Sequence, residues 1–162
     1  MVVGQEAVAL ATGDIANVRL VPSDPPAVPE ALQALTEADY IVLGPGSWYS
    51  SVIPHLLGPE IVRAMAASPA RRVLTLNLVP TEDETPAYTA SRHIEVLAEH
   101  APGLRWDVVV ADPSFADGDP HLATFVASLG AELVVAPVRA RDGSARHDPY
   151  LLTSVYAAIM GL

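Results

Sequence analysis

Residues Tyr40 to Leu57, YIVLGPGSWYSSVIPHLL, constrain this chain more than any other stretch. Tyr40-Ile41-Val42-Leu43 is a short strand that is apolar on both faces, the pattern of a strand inside a parallel sheet covered by helices. A Gly-Pro-Gly-Ser turn follows, then a hydroxyl-rich segment entering a helix. Loops at the carboxyl ends of such strands are where open α/β sheets bind ligands. Gly44 and Gly46 let the backbone approach a ligand with no Cβ in the way. Ser47, Ser50 and Ser51, with the N–H groups of the helix they open, are candidates to hold an anion such as phosphate. The plainer reading is a rigid turn with incidental serines, and the chemistry alone leaves both open.

The rest of the chain alternates strand and helix signals. Glu6 to Leu10 and Ile15 to Val21 alternate apolar and polar around Thr12-Gly13-Asp14, which predicts a β-hairpin. Pro22 to Pro29 is extended, and Pro29 to Ala38 is helical, with Ala31, Leu32 and Leu35 on one face. Helices are predicted for Pro59 to Ala67, Thr89 to His100 (apolar face Ile94, Leu97, Ala98), Pro120 to Leu129 and Tyr150 to Met160. Strands are predicted for Arg72 to Leu78, Trp106 to Ala111 and Leu133 to Pro137. This order implies an α/β fold: a doubly wound, mainly parallel sheet with helices on both faces, preceded by an amino-terminal β-hairpin. A single domain over residues 1–162 is expected, with the hairpin in 1–22 and the α/β part in 23–162. The last helix is apolar nearly all round, so it should pack against the sheet or a partner.

Charge and composition narrow the function. Nineteen acids oppose nine bases, every base is arginine, and the net charge is −10. No basic stripe exists to follow a phosphate backbone, so no nucleic-acid partner is expected. The absence of lysine beside heavy use of Ala, Arg, Pro and Val is a codon-bias signature. There is no cysteine, hence no disulfide or thiolate metal site. No apolar run approaches the roughly 20 residues needed to span a bilayer, and, with no basic segment followed by an apolar block at the amino terminus, no secretory signal is expected. A cytoplasmic protein is expected.

No catalytic residue emerges. Ser47 stands where a nucleophilic serine would, but the elbow pattern needs glycine two residues on, where Tyr49 stands. His93-Ile94-Glu95 resembles the His-x-Glu of zinc deaminases, whose partner Cys-x-x-Cys is impossible here. His93 and His100, two helical turns apart, are too far apart to share a metal, and both read as solvated. Thr81-Glu82-Asp83-Glu84-Thr85 could bind a divalent cation or act as a base, and a solvated acidic loop is its plainer reading. Asp112 reads as a cap for the turn after its strand. In Arg146-His147-Asp148-Pro149, Asp148 reads as a helix N-cap and Pro149 as the first helical residue. Arg146 is the right type to pin a phosphate or carboxylate bidentately, with a surface salt bridge as the alternative.

Gly44-Pro45-Gly46-Ser47-Trp48-Tyr49-Ser50-Ser51-Val52-Ile53-Pro54, with Leu56-Leu57, resembles the signature of the YvcK-like gluconeogenesis factors, within the CofD-like superfamily. Asn77-Leu78, then Glu84-Thr85 and Tyr88, are similar to that family's ligand loop, and Arg146 to Pro149 to its closing motif. Asp83, Pro86 and Ala87 depart from the loop's usual Gly, Asp and Gly, and Phe125 stands where the family commonly has Tyr. The likeness covers nearly the whole chain but maps onto the carboxyl-terminal half of the family. Its Gly-rich nucleotide loop has no counterpart here, since Met1 begins past that point. The resemblance implies a cytoplasmic factor that binds a UDP-sugar or another nucleotide and serves gluconeogenic growth and cell shape. It points to Gly44, Gly46, Ser47, Tyr49, Ser50, Ser51, Asn77, Glu84, Thr85 and Arg146 as ligand-binding residues. The CofD branch implies instead a 2-phospho-L-lactate transferase that uses magnesium. A non-catalytic interaction domain is the third reading. A half-fold with a bare sheet edge is also expected to form a homo-oligomer.

Overall fold

The structure is a computed structural model that describes residues 2–9, 15, 18–80, 85 and 88–162. Four parallel strands form one sheet in the order β1-β2-β3-β4: Tyr40–Leu43, Arg71–Thr75, Val108–Ala111 and Glu132–Val135. The register pairs Val42 with Val73, Val73 with Val108 and Val108 with Glu132. The α/β class with a parallel sheet and helices on both faces is thus as expected.

Side-chain alternation divides the sheet into two faces. Ile41, Leu43, Leu74, Val109 and Ala111 form one core with the helices of the connections. These are α3 (Ile53–Leu56), α4 (Pro59–Ala67), α5 (Ala90–His100), α6 (Pro113–Ala116) and α7 (Leu122–Ser128); α1 (Gln5–Ala9) and α2 (Pro29–Glu37) precede β1, and Leu35 of α2 packs on the same core. Right-handed crossovers between strands that advance in one direction place every connecting helix on one side, which explains the lopsided core. Val73, Val108 and Val110 form a smaller cluster on the second face, beneath Val155, Tyr156 and Ile159 of α8 (Pro149–Met160). The Tyr156 hydroxyl bonds Thr75 Oγ1 at 2.7 Å and ties α8 to the sheet.

Several local expectations need correction. Residues 5–9, expected to enter the first hairpin strand, are helical, and the Gln5 side chain donates to the Ser50 carbonyl at 2.9 Å. Gln, Glu and Ala favour helix, and the alternation of a five-residue stretch cannot outweigh that. The expected turn at 12–14 lies outside the described residues, and residues 18–20 carry no strand. β2 stops at Thr75 rather than at Leu78, although Leu76 still donates to the Val110 carbonyl at 2.9 Å.

Candidate functional site

Because the strands are parallel, their carboxyl ends share one edge. That edge gathers Gly44–Ser51 after β1, Leu76–Leu78 after β2, Asp112 after β3 and Ala136–Arg139 after β4. Gly44 leaves β1 with φ +77°, and a Cβ there would meet the Thr75 carbonyl oxygen at 2.5 Å. Only glycine fits, on both counts. The turn is then latched by Asn77, whose Oδ1 accepts from Gly46 N–H at 3.1 Å and whose Nδ2 donates to the Gly46 carbonyl at 2.9 Å. Both polar ends of Asn77 are thereby spent on positioning the loop.

Beyond Ser47 the chain makes a wide turn rather than an ordinary helix start. Val52 N–H reaches the Ser47 carbonyl at 3.0 Å, and Ile53 N–H reaches the Trp48 carbonyl, both five residues back. Such π-type turns recur at functional sites. This turn drives Trp48, Tyr49 and Ser50 into the core, leaving Gly44 to Ser47 and Ser51 half-buried. Ser47 and Ser50 bond through their hydroxyls. Tyr49 OH lies 3.0 Å from Tyr88 OH, and burial, reinforced by that bond, raises the Tyr49 pKa.

The other expected ligand residues divide. Thr85 is fully buried and its carbonyl accepts from Tyr88 N–H at 3.1 Å. Glu84, with Thr81 to Asp83, lies outside the described residues. Arg146 stands on an exposed loop after β4, paired with Asp142 at 3.1 Å. There, hydrogen bonds from Ser144, then the Arg146 guanidinium, hold the Asp142 carboxyl at about 2. His93 is corrected: it is fully buried in α5, not solvated. Trp48, Tyr88 and Phe115 meet its ring edge-on at centroid distances of 4.8, 5.5 and 5.3 Å. Burial lowers the His93 pKa against the pull of the Thr89 carbonyl.

The sequence reading missed a polar cluster between β3 and β4. Asp112, 4% exposed, caps α6 as expected but does more. Its Oδ1 accepts from Ser114 N–H (3.0 Å) and Oγ (2.6 Å), and its Oδ2 from the amides of Val138 (2.9 Å) and Arg139 (3.1 Å). Burial opposes ionisation, but these hydrogen bonds outweigh it and lower the pKa. The Arg139 guanidinium sits beside this carboxylate without pairing to it. Its Nη2 donates to the Leu78 carbonyl and to Ser114 Oγ, both at 3.1 Å. An arginine just past a strand's carboxyl end was the available signal. Among the described residues no group of three or more His, Asp or Glu is placed to hold a metal, and the Asp112 oxygens are filled by donors. These residues do not supply a magnesium site.

A parallel α/β sheet with a glycine turn latched at its carboxyl edge defines the class: an open, parallel α/β protein. More particularly, the chain belongs to the CofD family: the model for 2-phospho-L-lactate transferase CofD matches residues 1–123. A Mycobacterium tuberculosis relative that carries a gluconeogenesis-factor name is 44% identical over 156 residues, covering 94% of this chain and 45% of its own. The gluconeogenesis factor of Halalkalibacterium halodurans is 36% identical over 132 residues, or 82% of this chain and 39% of its own. The crystal structure of protein BH3568 from Bacillus halodurans superposes with a TM-score of 0.79 at 31% identity, covering 97% of this chain and 54% of that one. The chain spans about half the length of the relatives it matches.

Proposed function

We propose that this chain binds a UDP-sugar at the carboxyl edge of its sheet, as a regulatory rather than catalytic factor of carbon metabolism and cell shape in the cytoplasm. The observation that carries the reading is the Gly44–Ser47 turn, held rigid by Asn77 at the carboxyl edge of the sheet and free of Cβ atoms at Gly44 and Gly46. The relatives' gluconeogenesis-factor names support the metabolic setting. In this reading the nucleotide lies over a Rossmann-like edge, with its phosphates packed against Gly44, Gly46, Ser47 and Ser51 while the Gly46 peptide stays latched to Asn77. Asn77, Tyr49 and Ser50 hold the turn from below, Thr85 flanks it, Glu84 is assigned to the ligand by the resemblance alone, and Arg146 exchanges Asp142 for a ligand phosphate. The test is calorimetric titration with UDP-N-acetylglucosamine. Saturable binding that weakens severalfold in Arg146→Ala supports the reading, and no binding of any UDP-sugar removes it.

The family-model match favours a second reading, a CofD-type transferase. Magnesium-dependent transfer of a phospholactyl group from a guanylylated donor would establish it. β1 is an edge strand with Val42 exposed, which supports self-association into a homo-oligomer. A monomer at all concentrations in sedimentation would exclude that assembly.

A further inference from the structure

The carboxyl edge holds two buried nitrogens without a hydrogen-bond partner, Arg139 Nε and His147 Nε2. Buried donors left unmet are costly and ask for an acceptor. The two residues are direct cross-strand neighbours, joined as an isolated antiparallel bridge in the loop between β4 and α8. That bridge is closed on both sides, by Ala140 N–H to the Arg146 carbonyl and Asp148 N–H to the Val138 carbonyl, each at 2.8 Å. Residues so paired carry their Cβ atoms about 4.5–5.5 Å apart, on the same side of the ribbon. The two side chains therefore leave the ribbon as neighbours on one face.

Arg139 differs from the other half-buried arginines. Arg71 pairs with Glu132, Arg72 with Asp107, and Arg92 with Glu95 and Glu99. Among the described residues Arg139 has no ion-pair partner; its bonds go to the carbonyls of Leu78 and Ser144 and to Ser114 Oγ. The nearby Asp112 carboxylate is occupied by one hydroxyl and three amides. In a chain of net charge −10, a guanidinium held on neutral acceptors beside an unmet imidazole nitrogen is a preorganised donor site for an anion.

We propose that Arg139 and His147, with Ser114 alongside, grip a phosphoryl oxygen of the ligand at the β3–β4 end of the carboxyl edge. This rests on the reading of that edge as a phosphate-ligand site and adds a contact separate from the Gly44–Ser51 turn. The Leu76 carbonyl accepts from the imidazole ring, so His147 donates from Nε2 as the imidazolium, the form a bound phosphoryl group favours, and Arg139 supplies the standing charge.

The test compares inorganic pyrophosphate and UDP-N-acetylglucosamine, titrated calorimetrically at low salt into the wild-type chain and into Arg139→Gln, His147→Phe and Arg105→Gln. Loss of a hydrogen bond to a charged group costs about tenfold or more, so Arg139→Gln and His147→Phe should each weaken binding on that scale. Arg105→Gln, which removes the same charge near the amino end of β3, should change it less than about twofold. If Arg139→Gln fails to fold by circular dichroism, Arg139→Lys decides: a point charge without the planar fork should lose about threefold or more. UDP-N-acetylglucosamine binding that is equal in wild type, Arg139→Gln and His147→Phe overturns the proposal, leaves the UDP-sugar reading intact, and assigns the gap to water. Pyrophosphate binding that depends on Arg139, with no UDP-sugar binding, upholds the proposal and removes the UDP-sugar reading. Binding of neither probe overturns both.

Discussion

Gly44, Asn77 and His93 each bear on one bond or one clash, and each can be tested alone. Gly44→Ala adds both a left-handed backbone penalty and a Cβ against the Thr75 carbonyl, and should destabilise the fold by about 3 kcal/mol in thermal or urea melts. Asn77→Ala unlatches the Gly46 peptide but leaves it half-solvated, so about 1–2 kcal/mol is expected, with faster hydrogen exchange at Gly46. His93 and His147 are held below the ordinary 6.5, chiefly by burial. The unfolded chain then takes protons first, so their contribution is complete above pH 6.5 and drains as pH falls below it. Asp112, lowered from 3.8, contributes stability that is lost only further down, as pH falls through its folded value. Denaturation against pH should therefore show a first decline beneath 6.5, and His93→Phe should flatten it. An unchanged decline in that variant would show that His93 does not titrate with unfolding. His93 was misread as solvated although a signal stood in the sequence: it lies four residues before Leu97, on the face α5 buries, whereas Ala98, assigned to that face, is exposed. Arg139 was not, because no motif surrounds it and only the strand pairing brings it beside His147.

At the scale of elements, helices opened by proline or a capping residue were read nearly to the residue. α4 covers Pro59–Ala67 as expected, and α8 begins at Pro149 with Asp148 accepting from the amides of Tyr150 and Leu151. Such signals are local and carry their own chemistry. Strand ends were read less well, since β2 ends where its neighbours stop pairing, a property of three strands rather than one. The amino-terminal residues show the same limit, as helix propensity and docking on the Ser50 carbonyl override a short alternation. Asp112 joins two elements, so its variants should separate capping from bridging. Asp112→Ala strips four donors of their acceptor and should cost about 2–4 kcal/mol. Asp112→Asn keeps acceptor capacity and should cost less. Equal losses in urea melts would mean that the carboxylate does not tie the loop after β4 to β3.

For the whole molecule, the sequence pointed to the α/β class and to an edge where the post-strand loops gather, because a parallel sheet sends every strand's carboxyl end to one side. Strand order and the sharing of helices between the faces were not legible, being set by the crossovers. α8, apolar nearly all round, is the one described helix on the second face, while Tyr150 at its start stays exposed. The central claim is that this edge, from the Gly44 turn to Arg139, receives a phosphate-bearing ligand. Amide shifts in a heteronuclear NMR titration with UDP-N-acetylglucosamine test it most directly. Saturable shifts confined to Gly44–Ser51, Leu76–Leu78 and Val138–His147 are the predicted result. Shifts centred on α8 or the amino ends of the strands, or no shifts at all, would contradict it.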